Sequence, residues 1–196
     1  MKAKSNVIFI ISIIFTFILV CTTMLYGGVI KAPGFKPYEA DTSIKIDFKC
    51  PEGMFEDTQS AKDTGLYKIF LPKGETLNSS PMALVVNCQL KSTQFNNLDS
   101  FIKFNVDHFK SLYPNMKVSI INLPKDVTAT MDSLNIPYYT ILLKSNSDAD
   151  ISDNLVMFFE TEKGLWSITY IAPEKAINET RNIFLSFIKN TKITNE

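Results

Sequence analysis

Histidine is nearly missing from this sequence, which has one histidine and one tryptophan in 196 residues. One histidine does not by itself provide the ligands of a zinc site, and a histidine-based catalytic set also needs partner residues beside the histidine. His108 follows Asp107 on a predicted helix, where adjacent residues point to different sides, so the two do not form an acid–base pair. The sequence also lacks G-x-S-x-G, H-E-x-x-H and the phosphate-binding loop. We therefore expect no enzyme active site, no cofactor and no metal.

An excess of charge is lacking as well, because 20 basic residues balance 20 acidic ones. Domains that bind nucleic acid carry a basic patch, which this composition does not provide, so we expect no nucleic-acid partner. An acidic stretch at 145–154 contains Asp148, Asp150 and Asp153, whose oxygens are of the kind that bind calcium. It lacks the central Gly and terminal Glu of an EF-hand loop, and we interpret it as a solvated hairpin loop.

The N-terminal region has no charged residue from Ser5 to Ile30, although Lys2 and Lys4 precede it. Residues 7–26 supply the roughly 20 apolar residues that a helix needs to cross a bilayer. The two lysines should stay on the cytoplasmic side, which places the rest of the chain outside. A buried core helix is not expected, because it would need a polar side for solvent.

Three fates of this segment differ in what becomes of the domain. A cleaved signal peptide usually has a shorter apolar region, and Leu25 and Gly27 make a mediocre cleavage site. Lipidation would modify Cys21, but Val20 is a poor residue before a modified cysteine. We favour an uncleaved anchor that holds the domain outside the membrane. Cleavage would instead release the domain as a secreted protein.

The rest of the chain shows strand and helix patterns. Strands are predicted at 44–50, 65–72, 82–91, 117–123, 127–131, 138–144, 155–162 and 165–172. One helix begins at Asn96 or Asn97 and ends before Pro114, and a second follows Pro173. Short connections make neighbouring strands antiparallel, and strands that are apolar on both sides need cover on both faces. We predict an α+β fold, a mostly antiparallel sheet of about six to seven strands with helices on both faces (an α/β/α sandwich).

Three segments give this pattern a likeness to a known family: SIKIDFKCPEGM, LDSFIKFNVDHF after the third strand, and GLWSITYIAPEK before the last helix. Over residues 43–190 the chain resembles the PsbP-like sandwich family, which includes an extrinsic photosystem II subunit and bacterial envelope proteins of the DcrB-like kind. The resemblance implies the sandwich fold and carries over no functional residue. The predicted division is a cytoplasmic n-region 1–6, an anchor or signal segment 7–26, a linker 27–43, a domain 44–190 and a tail 191–196.

Five residues are candidates for special roles. Cys50 and Cys88 fall at apolar positions of predicted strands, which leaves a disulfide and two buried thiols both open. Trp166 and Tyr170 share one side of a strand, and Tyr138 is expected nearby. Aromatic side chains of this kind either contact a partner or fill the core.

The function predicted from these features is that of a non-catalytic, membrane-tethered, extracytoplasmic binding or assembly accessory protein of the cell envelope. We expect two partners: the membrane, which the N-terminal segment would enter, and an envelope protein whose identity the sequence does not indicate. The alternative is a carrier or sensor of a small apolar ligand, held in a pocket between the sheet and a helix.

Overall fold

The structure is a computed structural model that describes residues 44–93, 95–144 and 153–195. The predicted anchor 7–26 and linker 27–43 lie outside these residues, as do Asp148 and Asp150 of the acidic stretch. The strands are β1 (Ile44–Asp47), β2 (Met54–Glu56), β3 (Lys68–Pro72), β4 (Ala83–Leu90), β5 (Lys117–Ile120), β6 (Tyr138–Lys144), β7 (Asp153–Glu160), β8 (Gly164–Ala172) and β9 (Lys192–Asn195). The helices are α1 (Thr58–Thr64), α2 (Leu98–Leu112), α3 (Lys125–Ser133) and α4 (Glu174–Asn190).

Seven strands form one sheet in the order β2-β3-β4-β8-β7-β6-β5. Every neighbouring pair in it is antiparallel. The helices lie on both faces, so the predicted α/β/α sandwich is confirmed. All nine residues of β8 are buried, because β8 has a strand on each side and packed side chains above and below it. This explains why its sequence is apolar on both sides.

Two separate cores fill the two faces of the sheet. On one face, Phe101 of α2 packs edge-on against Phe158 of β7, with ring centroids 5.8 Å apart. On the other face, α3 and α4 pack side by side, and the strands β1 and β9 pack beside them. The buried residues of α4 include Ile177, Phe184 and Ile188, whose spacing of seven and four residues puts them on one side of the helix. The helix α2 and the short helix α1, through Ala61, therefore cover the first face, and two helices with a small sheet cover the second.

The helix α2 begins where the sequence predicted. The side chain of Asn97 accepts a hydrogen bond from the backbone N–H of Ser100 at 2.9 Å, and the Ser100 hydroxyl accepts one from the Asn97 N–H. A carboxylate oxygen of Glu160 in β7 also accepts a hydrogen bond from the Leu98 N–H at 2.8 Å. A negative charge is favourable at a helix N-terminus, so Glu160 ties the start of α2 to the sheet.

The strand predicted at 127–131 is wrong, because these residues belong to the helix α3. Val127 and Met131 are buried four residues apart, which is the spacing of one helix face. Thr128 donates its hydroxyl hydrogen to Asp132 at 2.9 Å, again four residues along. The β-branched residues of VTATM favour strands locally, but packing against α4 decides the outcome.

Three elements of the described chain were not predicted, namely β2, α1 and β9. The strand β2 and the helix α1 precede β3. The tail predicted at 191–196 contains β9, which pairs antiparallel with β1 in a second, two-stranded sheet. The predicted domain 44–190 therefore extends through β9. None of the helices within the described residues is long and apolar enough to span a membrane.

Candidate functional site

Trp166 and Tyr170 are core residues rather than surface contacts. Their exposed fractions are 1% and 0%. The Trp166 ring stacks on Phe159 with centroids 5.8 Å apart, and its indole N–H donates to the Thr161 hydroxyl at 3.0 Å. Of the two roles that the sequence left open for these rings, filling the core is the one they have, because β8 lies inside the sheet and both rings are covered.

Tyr138 lies at the start of β6 and is half-buried. Its hydroxyl donates to a carboxylate oxygen of Asp132 at 3.1 Å, which links β6 to α3. A partner contact at Tyr138 stays a prediction.

No disulfide joins Cys50 to Cys88. Cys88 is buried in β4, but β1 ends at Asp47, so the alternation of its side chains does not continue to Cys50, which is exposed. Partial burial and the nearby Glu56 carboxylate raise the pKa of the Cys50 thiol, while lysines nearby oppose the shift. Cys50 is thus an accessible thiol of reduced reactivity. Of the two alternatives left open, the structure has no disulfide, and only Cys88 is a buried thiol.

Asp107 and His108 have different neighbours on α2. The Asp107 carboxylate accepts a hydrogen bond from Lys103, one turn earlier on α2. The imidazole of His108 lies parallel to the ring of Phe104, with centroids 6.2 Å apart. Burial lowers the pKa of His108.

Of the three aspartates in the acidic stretch, only Asp153 lies within the described residues. Asp153 is fully buried at the start of β7, opposite Ala172 of β8. The prediction of a solvated loop is therefore wrong for Asp153 and for Asn154, which is also buried. Within residues 44–93, 95–144 and 153–195, no three His, Cys, Asp or Glu side chains are arranged to hold a metal ion.

A different set of residues forms the candidate site, on the sheet face that α2 covers. Asn87 of β4 lies opposite Ser167 of β8, and Thr169 of β8 lies opposite Val85 and Val156 on its two neighbouring strands. Residues opposite each other in antiparallel strands share a face, as do residues two apart in one strand. The three polar side chains therefore form a patch on a face whose other strand residues are mostly apolar.

This patch and α2 enclose a cavity of about 20 Å³ that is partly open to solvent. Its lining consists of Val85, Asn87, Asn105, Phe109, Val156, Ser167 and Thr169. The four polar residues are at least nine-tenths buried, with exposed fractions of 8% for Asn87, Ser167 and Thr169 and 3% for Asn105. We call this site the polar cavity.

The hydrogen bonds at the polar cavity are incomplete. Asn105 donates its amide hydrogen to the Phe101 carbonyl at 2.6 Å, which leaves the amide oxygen for the cavity. Among the described parts of the chain, no residue forms a hydrogen bond with the side chain of Asn87, Ser167 or Thr169. Buried polar groups are nearly always satisfied by protein, water or ligand. The lining residues contribute none of the fully buried, unpaired side-chain atoms of the described chain, so their polar groups reach solvent at the open side of the cavity and are available for hydrogen bonds there.

The lining determines the chemistry that the polar cavity supports. None of its residues titrates near neutral pH, so the lining supplies neither a general base nor an activated nucleophile. Pockets for drug-sized ligands measure several hundred cubic ångströms and are mostly apolar. At about 20 Å³ the polar cavity has room for one water molecule, so it does not fit the predicted carrier of an apolar ligand.

The sequence contained a partial signal for this site. Asn105 lies four residues after Phe101 and four before Phe109, so it shares their side of the helix and is a polar residue among apolar ones. Asn87, Ser167 and Thr169 interrupt apolar strands in the same way, within MALVVNCQL and LWSITYIA. Their meeting depends on the pairing of β4 with β8, which the sequence does not specify.

Comparison with solved structures supports the fold. The crystal structure of LpqN, involved in cell envelope biogenesis of Mycobacterium tuberculosis, is 10% identical, with a TM-score of 0.55 over 80% of this chain and 88% of that one. The solution structure of cyanobacterial PsbP (CyanoP) from Synechocystis sp. PCC 6803 is 12% identical, with a TM-score of 0.47 over 78% of this chain and 93% of that one. No protein-family model matches the chain, and no curated sequence matches it. The chain shares the sandwich fold of LpqN.

Proposed function

We propose that this chain is a non-catalytic binding or assembly module of the cell envelope, tethered to the membrane with its domain on the extracytoplasmic side. The observation that carries the proposal is the charge-free apolar segment from Ser5 to Ile30, which follows Lys2 and Lys4. Transfer of such a segment from water to hydrocarbon is favourable, and the lysines favour the cytoplasmic side.

The fold supports a role in the envelope. LpqN is described as involved in cell envelope biogenesis, and this chain shares its sandwich architecture. We take residues 27–43, which contain three glycines and two prolines and precede the described strand β1, as the linker between the apolar segment and the domain. A linker of this length lets a domain reach a partner near the membrane surface.

The polar cavity supports binding over catalysis. Its lining offers amides and hydroxyls that accept and donate hydrogen bonds but hold no mobile proton at neutral pH. Groups of this kind recognise a neutral polar partner. The role that best fits this chemistry is recognition.

Topology is tested with the full chain carrying a C-terminal epitope, expressed in a bacterial host. We expect the epitope to sediment with membranes and to be digested when protease is added to spheroplasts, while a cytoplasmic marker stays protected. A matched variant, Ile11→Lys with Phe15→Lys, should lose membrane association because each lysine at the centre of a spanning helix costs about 3 kcal/mol. An epitope that stays protected until lysis would contradict the proposal. The mass of the mature N-terminus then separates the retained, cleaved and lipidated forms.

The assembly part of the proposal is tested by the size of the native particle. Full-length chain extracted from membranes in mild detergent should migrate as a larger complex than the same chain purified alone. Migration of both samples as the same monomer–detergent particle would contradict it.

A further inference from the structure

The polar cavity presents polar groups that the described protein leaves available to solvent or to a ligand. Three side chains that are more than nine-tenths buried face it without a protein hydrogen-bond partner, and the Asn105 amide oxygen adds a fourth group. A buried amide or hydroxyl that loses its bond to water is strongly unfavourable unless another bond replaces it. The walls of the polar cavity thus select an occupant with both donors and acceptors.

The size of the polar cavity restricts the occupant further. About 20 Å³ is close to the space that one water molecule needs. A hydroxyl group has the size of a water molecule and, like water, donates one hydrogen bond and accepts others. A carboxamide or carboxylate has three heavy atoms at its head and exceeds this space. The group that fits is a hydroxyl.

The charge and shape of the walls indicate what carries the hydroxyl. No titratable side chain lines the polar cavity, so a charged ligand would find no counter-charge there. The remaining wall is formed by the Phe109 ring with Val85 and Val156, which suits the C–H groups of a ligand. The polar cavity is partly open, so the rest of a larger molecule can remain at its mouth.

We propose that the polar cavity binds a hydroxyl group of a neutral sugar or polyol, which replaces a bound water molecule. Asn87, Asn105, Ser167 and Thr169 form the hydrogen bonds. This inference rests on the proposed binding function and names the class of ligand for it. Replacement of an ordered water is favourable only when the ligand reproduces its hydrogen bonds, which a hydroxyl can do.

The test uses the isotope-labelled full chain in phosphocholine-detergent micelles, because sugar-headed detergents would compete. D-glucose, glycerol and the charged sugar acid D-gluconate are titrated separately to millimolar concentration, and the side-chain amide signals of Asn87 and Asn105 are followed by NMR. We expect D-glucose or glycerol to shift both signals and D-gluconate to bind more weakly. A response to D-glucose alone identifies a sugar, and an equal response to glycerol identifies a polyol such as a lipid headgroup.

Two matched serine variants test whether the response comes from the polar cavity. Ser167→Ala removes one hydroxyl of the lining and should weaken binding about three- to tenfold, the equivalent of one neutral hydrogen bond. Ser119→Ala removes an exposed hydroxyl on β5 and should leave binding unchanged. Unchanged backbone signals elsewhere in the Ser167→Ala spectrum show that the variant is folded.

Two results would overturn the inference. Absence of any shift with D-glucose and glycerol means that the polar cavity holds water alone. Equal effects of Ser167→Ala and Ser119→Ala mean that the ligand binds elsewhere. Neither result bears on membrane topology, which the protease assay measures without a sugar, so failure of this inference is distinguishable from failure of the proposed function.

Discussion

Phe48 stacks face to face on Phe187, with ring centroids 5.7 Å apart and planes 7° apart. Phe48 follows β1 near the beginning of the described chain, and Phe187 lies in α4 near its end. The stack therefore fastens the first part of the domain to its last helix. The Phe48 ring also lies 6.0 Å from that of Trp166, which places it over the centre of the sheet.

Phe48→Ala should lower the free energy of unfolding by about 3 kcal/mol, because it leaves a cavity beneath a 4% exposed ring. Urea denaturation of the full chain in micelles, followed by tryptophan fluorescence, measures the change. The neighbouring exposed residue provides a control, since Lys49→Ala should change stability by less than about 0.5 kcal/mol. Equal effects of the two substitutions would show that the stack contributes little.

A pair of substitutions at Ala129 distinguishes a helix from a strand in α3. Ala129 is exposed at the centre of α3, so Ala129→Pro should cost about 3 kcal/mol by removing a helix hydrogen bond. Ala129→Val should cost at most about 0.7 kcal/mol in a helix, whereas it would stabilise a strand. Both are measured by thermal unfolding followed by circular dichroism. A stabilising Ala129→Val would contradict the helix.

The start of α2 depends on Asn97 rather than on its neighbour. Asn97→Ala removes the side chain that caps the Ser100 N–H and should cost about 1 kcal/mol. Asn96→Ala is the matched control. The hydrogen bond that the Asn96 side chain accepts from the Ser100 hydroxyl is long, at 3.5 Å, so removing it should have little effect on stability. Chemical denaturation compares the two variants. A larger loss from Asn96→Ala would reverse the assignment of the cap.

The two domain cysteines should differ in accessibility. Maleimide should modify Cys50 in the native protein and Cys88 only after unfolding, because Cys50 is exposed and Cys88 is 2% exposed. Because the pKa of Cys50 is raised, the rate of its modification should continue to increase at pH values where an ordinary thiol has already reached its maximum rate. Peptide mass spectrometry assigns each site. Recovery of a Cys50–Cys88 linked peptide without reductant would overturn the assignment.

His108 should give the domain a pH-dependent stability. Burial lowers the folded-state pKa of His108 below its ordinary value of 6.5, so the unfolded chain binds more protons between the two values. Stability should therefore rise with pH through this window and fall as the pH drops below 6.5. His108→Gln should flatten that part of the profile of melting temperature against pH. An NMR titration that gives a His108 pKa at or above 6.5 would contradict the prediction.

Local patterns in the sequence predicted most of the sheet and both long helices. Periodicity places β4, β6, β7 and β8, and side-chain chemistry at Asn97 and Pro173 marks the helix starts. The helix α3 was missed because β-branched residues favour strands until packing against α4 is considered. The pairing of β1 with β9 joins distant segments and has no local signal.

The polar cavity was beyond prediction for a related physical reason. Each polar residue in it is a single interruption of an apolar pattern, and an isolated serine or threonine in a strand has many explanations. The pairing of Asn87 with Ser167, below the turn of α2 that carries Asn105, brings these residues together in one cavity. The residues were visible, but their proximity depends on the tertiary structure.

The pairing of β1 with β9 has a consequence for biosynthesis. Ile44–Asp47 leave the ribosome early, but their hydrogen-bonding strand, Lys192–Asn195, is made about 150 residues later, so loop closure across the whole domain must precede this contact. Until then the apolar side chains of Ile46 and Phe48 lack most of their cover. The two-stranded sheet can therefore form only after the last strand of the domain has been synthesised.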